Sequence, residues 1–188
     1  RGYVLRRIMR RAARHGVLVK GGAHLENLGL LKAIAFDKTG TVTHGQPEVT
    51  DVVAIQSSAW KEADLLSIAA GAESRSAHPL AQAVVRAAQT QGRPASPMDD
   101  VESLTGRGLR TTSNGKTIWI GNQKLMNEAG VTLSSESLAH AEALQGQGKT
   151  LMWIAVDKTL AGLIALADTL RREAAPTMNA LKRSGITH

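Results

Sequence analysis

The sequence predicts an α/β protein: a doubly wound domain, incomplete within this chain, interrupted by an inserted α+β domain with an antiparallel sheet. Three observations predict it. The apolar run "LKAIAF" (31–36) ends at a carboxylate, Asp37, followed by a polar, glycine-containing cluster. That is the pattern of a buried strand whose carboxyl end carries a site. Between 101 and 161, short apolar stretches are separated by the turn signals "SNGK" (113–116) and "DKT" (157–159), as in hairpins. Beyond them an apolar strand and an amphipathic helix (162–185) resume an α/β pattern.

The elements follow in order. "YVLRRIMRRAARHG" spaces Val4, Ile8 and Met9, then Ala12 and Ala13, at helical intervals, and Gly16 ends it. "LKAIAF" is the first strand and "EVTDVVAI" (48–55) the second. "SAWKEADLLSIAAGAE" is helical through Ile68, with Ser58 as its cap. "HPLAQAVVRAAQTQG" is a helix with Pro79 in its first turn and Gly92 at its end. "GRPASPMDD" is a loop. Strands are predicted around 101–104, 107–112 and 116–120, and helices over 122–129 and 134–146. "TLMWIAV" and "LAGLIALA" pair around "DKT". "LRREAAPTMNALKRSG" is a helix broken or kinked near Pro176. The implied division is a basic helix and linker (1–26), the first part of the doubly wound domain (27–48), the insertion (49–161) and the second part (162–188).

Composition narrows the function. The 188 residues include no cysteine, which excludes disulfides and thiolate metal sites. Aromatic content of 3% argues against stacking platforms for single-stranded nucleic acid. The net charge of +7 equals the seven positives at Arg1, Arg6, Arg7, Arg10, Arg11, Arg14 and Lys20, so the rest of the chain is neutral. A short basic run at one end suits a nucleic-acid arm or a segment beside a membrane. Positive-inside orientation explains a charge confined to one helix better than DNA binding does; salt-dependent DNA binding by the isolated arm would distinguish the two. No apolar run is long enough to span a bilayer. The chain opens on Arg1, and is expected to be a piece of a membrane protein.

Asp37 is placed for chemistry. A carboxylate at a strand's carboxyl end can attack phosphorus and become an aspartyl phosphate. Lys38 is adjacent to help it approach a polyphosphate, Gly40 permits close backbone approach, and Thr39 and Thr41 offer donors for phosphoryl oxygens. Mg²⁺ is expected, because phosphoryl transfer develops charge that a hard cation neutralises. For a strand–Asp–polar–Gly stretch alone, a mere turn cap is an equal reading.

The whole string decides between them. "DKTGTVT" (37–43) resembles the phosphorylation motif of P-type ATPases, with Val42 where Leu is common. Further matches follow in order along essentially the whole chain. "HPLAQAV" (78–84) is similar to the His-Pro signature of heavy-metal-transporting members, with Glu73 five residues before His78. "GRG" (106–108) resembles their Gly-x-Gly turn, Gly121–Asn122 their Gly-Asn pair, and "ADTLRREA" (167–174) the segment re-entering the phosphorylation domain. Each match is weak alone; their order behind "DKTGTVT" makes the resemblance specific.

The resemblance implies a haloacid-dehalogenase-like phosphorylation domain with an inserted nucleotide-binding domain. It implies ATP and Mg²⁺ as cofactors, Asp37, Lys38, Thr39 and Thr41 as catalytic residues, and Asp37 and Thr39 as Mg²⁺ ligands. ATP or ADP would be held by Glu73, His78, Gly106, Gly108, Gly121 and Asn122. Further implied partners are the membrane and an actuator domain, with no nucleic acid, in the cytoplasmic portion of an inner-membrane protein. The transported metal is expected to be of the zinc/cadmium/lead branch; a copper transporter is the alternative. The family's Thr-Gly-Asp loop, its downstream aspartates and its actuator segment do not occur, so the chain alone is expected to be inactive. A phosphatase of the same superfamily is a second alternative, disfavoured because Thr39 stands where those enzymes carry a general acid/base aspartate.

Overall fold

The computed structural model describes residues 2–55 and 59–186, and the side chains from Arg6 onward. These fall into two compact units: Thr39–Leu170, and the described residues of 1–38 with those of 171–188.

The unit Thr39–Leu170 is built on one six-stranded antiparallel sheet. Its strands are β1 (Thr43–Ala54), β2 (Val101–Leu104), β3 (Gly108–Ser113), β4 (Lys116–Gly121), β5 (Thr150–Val156) and β6 (Thr159–Leu170). They lie in the order β1-β6-β5-β4-β3-β2. Two tight turns close hairpins where the sequence signals them. Asn114 (φ 51°) and Gly115 (φ 74°) join β3 to β4, and Asp157 (φ 55°) joins β5 to β6, left-handed conformations that Asn, Asp and Gly tolerate.

Helices cover both faces of the sheet. Helices α3 (Glu62–Glu73) and α4 (Pro79–Thr90) pack on one, where Leu65, Leu66, Ile68 and Val84 meet Ile118, Ile120, Ile154 and Ile164. Helices α5 (Gln123–Glu128) and α6 (Ser135–Gly146) pack on the other, where Leu125, Met126 and Leu144 meet Leu151, Trp153 and Leu163. Two-sided burial explains why Leu151–Val156 and Leu160–Leu166 are apolar almost without interruption and buried throughout. The alternation of faces slips at Ala161, where Ile154 pairs with Gly162 but Ala155 with Leu160. A Cβ on Gly162 would lie 2.3 Å from the Val53 carbonyl oxygen, so β1 can pair there only against glycine.

The other unit contains α1 (Gly2–Arg14), α2 (Gly22–Leu28) and α7 (Ala174–Arg183). Gly16 (φ 76°) closes α1, with Val17 N–H donating to Ala12 O at 3.0 Å as the chain turns out of the helix. Arg6, Arg7, Arg10, Arg11 and Arg14 are exposed on α1. No helix among the described residues is long and apolar enough to cross a membrane.

Several expectations are corrected. Residues 31–36 form no strand: they are irregular and exposed apart from half-buried Ile34. An apolar run signals burial, but a strand also needs a neighbour to pair with, and none runs beside it among the described residues. The apolar stretch after "DKT" forms a single strand, β6, which runs unbroken from Thr159 to Leu170 in the antiparallel sheet. Helix α3 starts at Glu62, behind Lys61, whose N–H donates to Asp64 Oδ2 at 3.0 Å; the predicted cap Ser58 lies outside the described residues. Pro176 does not break α7. It occupies the first turn, where a missing N–H costs no helical bond. Short α2 had no predicted counterpart.

Candidate functional site

Glu73, His78, Gly106, Gly108, Gly121 and Asn122 all line one hollow of about 630 Å³. Three corners of the fold bring them together: the α3–α4 connection, the β2–β3 loop and the β4–α5 junction. Leu104, Leu109, Ile120 and Met152 add apolar surface to its walls. An apolar cleft with a few convergent polar groups is what a small-molecule site requires.

On the α3–α4 side, Glu73 is the last residue of α3. Burial pushes its carboxyl above the usual range, opposed by a hydrogen bond with Ser76. His78 caps α4, its Nδ1 accepting from the Leu80 N–H at 3.2 Å. An accepting Nδ1 leaves Nε2 as the nitrogen that carries the proton. The connection is tied down by Gln82 Nε2 donating to Ser76 O at 2.6 Å. Arg75 also lines the hollow and was not singled out by sequence; it occupies no motif position.

On the sheet side the glycines differ in kind. Gly106 (φ 71°) belongs to the loop between β2 and β3, closed by Arg107 N–H donating to Leu104 O at 2.9 Å. A Cβ there would meet no atom within 4 Å, so backbone conformation alone selects glycine. Gly108 and Gly121 are cross-strand partners. A Cβ on Gly108 would lie 2.0 Å from Ile120 O, and one on Gly121 would lie 2.1 Å from Arg107 O. Close strand approach demands glycine at both, irrespective of any ligand. Asn122 caps α5, its Oδ1 accepting from Leu125 N–H at 3.0 Å, while its Nδ2 donates to Gly106 O at 3.0 Å.

The motif "DKTGTVT" straddles the boundary between the units: Asp37 and Lys38 belong to one, Thr39 and Thr41 to the other. All four are exposed. Thr39 (φ −77°, ψ 119°) and Gly40 (φ 80°, ψ −11°) have the dihedrals of a type II turn, which requires glycine at its third position. The turn is anchored from below. Gly40 N–H donates to Thr43 Oγ1 at 3.2 Å, and buried Thr43 donates in turn to Asp168 Oδ2 at 2.5 Å. The other carboxylate oxygen of Asp168 accepts from Gly45 N–H at 2.9 Å. Sequence reasoning missed this role of Asp168. Its partners are 125 and 123 positions away, and no local pattern links them.

The Asp37 carboxylate and the threonine hydroxyls are hard oxygen donors of the kind Mg²⁺ prefers. Among the described residues no three acidic or histidine side chains converge on a metal position. The donors present therefore suit Mg²⁺ in kind.

The chain is 41% identical over 174 residues to a manganese-exporting P-type ATPase of Mycobacterium tuberculosis, and 40% to a zinc-exporting P-type ATPase of Mycobacterium marinum. It is 43% identical over 178 residues to a cadmium-transporting ATPase of Staphylococcus aureus. Each match covers 93% of this chain and 24% of the relative, so the chain spans about a quarter of those proteins' length. Among solved structures, a zinc-transporting PIB-type ATPase in the E2.Pi state superposes with a TM-score of 0.82 at 35% identity, over 94% of this chain and 28% of that one. The family model of haloacid dehalogenase-like hydrolases matches residues 31–188. The doubly wound part of the predicted architecture rests on this match, the antiparallel part on the sheet itself. The chain belongs to the haloacid dehalogenase-like hydrolase family.

Proposed function

We propose that the chain is the nucleotide-binding and phosphoryl-accepting region of a P-type ATPase that exports a divalent heavy metal, with the zinc/cadmium/lead class favoured. The observation that carries the reading is the convergence of Glu73, His78, Gly106, Gly108, Gly121 and Asn122 on one hollow. Relatives named for manganese, zinc and cadmium support the cargo class. In this reading residues 49–161 bind ATP, and 27–48 with 162–188 contribute to the phosphorylation domain. The region faces the cytoplasm of an inner-membrane protein, beside its membrane helices and its actuator domain.

The hollow suits a purine in physical terms. Its apolar walls take the flat ring, the Glu73 carboxylate accepts from the exocyclic amine, and His78 Nε2–H is free of the capping bond and donates. An oxygen of Asp37 attacks the γ-phosphorus, the bond from that phosphorus to the β–γ bridging oxygen breaks, and ADP leaves with the electron pair. Lys38 neutralises charge on the approaching phosphates; Thr39 and Thr41 donate to phosphoryl oxygens. Asp37 and Thr39 would hold Mg²⁺, which supplies charge neutralisation on the phosphates when bound. With Thr39 in place of a carboxylate base, the acyl phosphate persists until another part of the protein admits water.

The test uses an intact transporter that carries this segment. Incubation with γ-labelled ATP and Mg²⁺ should give acid-stable, hydroxylamine-sensitive label, and Asp37→Asn, nearly equal in size, should abolish it. Undiminished label in Asp37→Asn would remove Asp37 as the acceptor.

A further inference from the structure

We propose that Asn122 acts on the nucleotide at one remove, as the residue that positions the loop Thr105–Gly108, and not as a ligand contact. The proposal rests on the ATP reading of the hollow. Its grounds are the bonds Asn122 already makes. Oδ1 accepts from the Leu125 N–H at 3.0 Å, Nδ2 donates to Gly106 O at 3.0 Å, and the Asn122 N–H donates to Arg107 O at 2.8 Å. The side-chain orientation is fixed by these partners: a flipped amide would set NH₂ against the Leu125 N–H and oxygen against the Gly106 carbonyl.

Asn122 is thus a bracket between the start of α5 and two successive carbonyls of the loop. The far end of the same short helix grips the loop again. Glu128 Oε2 receives the Arg107 guanidinium at 2.7 Å. Because a Cβ on either Gly108 or Gly121 would strike backbone, β3 and β4 are in close contact at the foot of the loop, and the loop cannot settle further toward the sheet. Its remaining freedom is to swing away from α5. The bracket opposes that motion, and the hollow keeps its shape before any ligand arrives, which lowers the ordering cost of binding.

Asn122→Ser is the discriminating variant. Serine still caps α5 but is too short to reach Gly106 O, and it adds no charge. Asn122→Ala loses both functions and serves as the stability control. Three readouts are taken on the 188-residue chain: thermal unfolding, amide resonances of Gly106, Arg107 and Gly108 without ligand, and titration with adenosine and with ATP.

Asn122→Ser should melt above Asn122→Ala. It should shift the three loop amides in the free protein and weaken adenosine and ATP by the same factor, about five- to tenfold for one lost loop bond. Weaker binding with unmoved free-state loop resonances would make Asn122 a direct contact and overturn the proposal. So would weakening of ATP with adenosine unchanged, which marks a phosphate contact. If the wild type binds both ligands and Asn122→Ser binds them equally well, the positioning role alone fails. If the wild type binds neither, the ATP reading fails and this proposal with it.

Discussion

Replacing Gly121 by alanine places a methyl carbon 2.1 Å from Arg107 O, 2.8 Å from Gly108 Cα and 2.8 Å from Leu125 Cδ2. A carbon and a carbonyl oxygen rest at about 3.3 Å or more, so roughly 1 Å must be found. The leucine methyl can rotate away; the carbonyl cannot. It is the acceptor of the Asn122 N–H at 2.8 Å, and β3, which begins at the next residue, is held to β4 along the whole β3–β4 ladder. Overpacking of this kind costs about 1–3 kcal/mol, and the lost backbone bond adds about 1 kcal/mol, so Gly121→Ala should destabilise by about 2–4 kcal/mol. Gly106→Ala meets no atom within 4 Å but keeps φ at 71°, a conformational penalty of about 1–2 kcal/mol. Urea unfolding of both variants tests the difference: with m of about 2 kcal/mol/M, Gly121→Ala lowers the midpoint by about 1–2 M and Gly106→Ala by about 0.5–1 M. Equal midpoints, or a Gly121→Ala loss below about 0.5 kcal/mol, would refute the claim that strand approach dictates this glycine.

Other expectations concern side chains. Asp168→Ala removes the acceptor of buried Thr43 and of Gly45 N–H, and should cost about 2–3 kcal/mol in chemical denaturation; Asp168→Asn, retaining one acceptor oxygen, should cost less. The Lys149 ammonium lies 2.7 Å from Asp51 Oδ2, and that bond, with one from Thr50, holds the Asp51 carboxyl below its usual range. Its stabilisation is complete above the unfolded value of 3.8 and is lost as pH falls through the lower folded value. Lys149→Met should therefore be less stable than wild type by about 1 kcal/mol near neutrality, with the gap closing in acid. Glu73 is the opposite case: burial raises its pKa above 4.5, so the native state binds the proton more tightly than the unfolded chain. Stability falls as pH rises from 4.5 through the folded value, and Glu73→Gln should unfold at higher temperature than wild type at pH 7 while binding ATP more weakly.

Much of the fold could be read because its signals are local. Asn114–Gly115 needs positive φ at both positions, and such a pair between apolar stretches leaves few alternatives to a hairpin. His78, Asn122 and Ser134 each accept a backbone N–H at the start of a helix; the residue types of Asn122 and Ser134 announce it, and Pro79 announces the start behind His78. What could not be read depends on distant partners. The apolar run 31–36 looks like a strand whether or not anything pairs with it. The extension of β6 to Leu170 depends on pairing with β1, where Asp168 faces Pro47 and Leu170 faces Thr43. The same holds for the site. Glu73 and His78 were legible because they sit in a recognisable order, whereas the anchoring by Asp168 appears only when β1 and β6 lie side by side. Gly108 and Gly121 were singled out as ligand-loop residues, yet their mutual contact gives each a structural reason to be glycine.

The central claim is that the hollow between the α3–α4 connection and the β2–β3 loop holds the nucleotide. Residue-resolved amide NMR of the labelled 188-residue chain, titrated with ATP up to millimolar concentration, tests it most directly. High-micromolar to millimolar affinity, about 4–6 kcal/mol, is expected, with shifts concentrated on Glu73, His78, Gly106, Gly108, Gly121 and Asn122. Shifts concentrated instead at the smaller recess formed by Thr50, Asp51, Glu62 and Arg93, or no saturable shift at all, would contradict it.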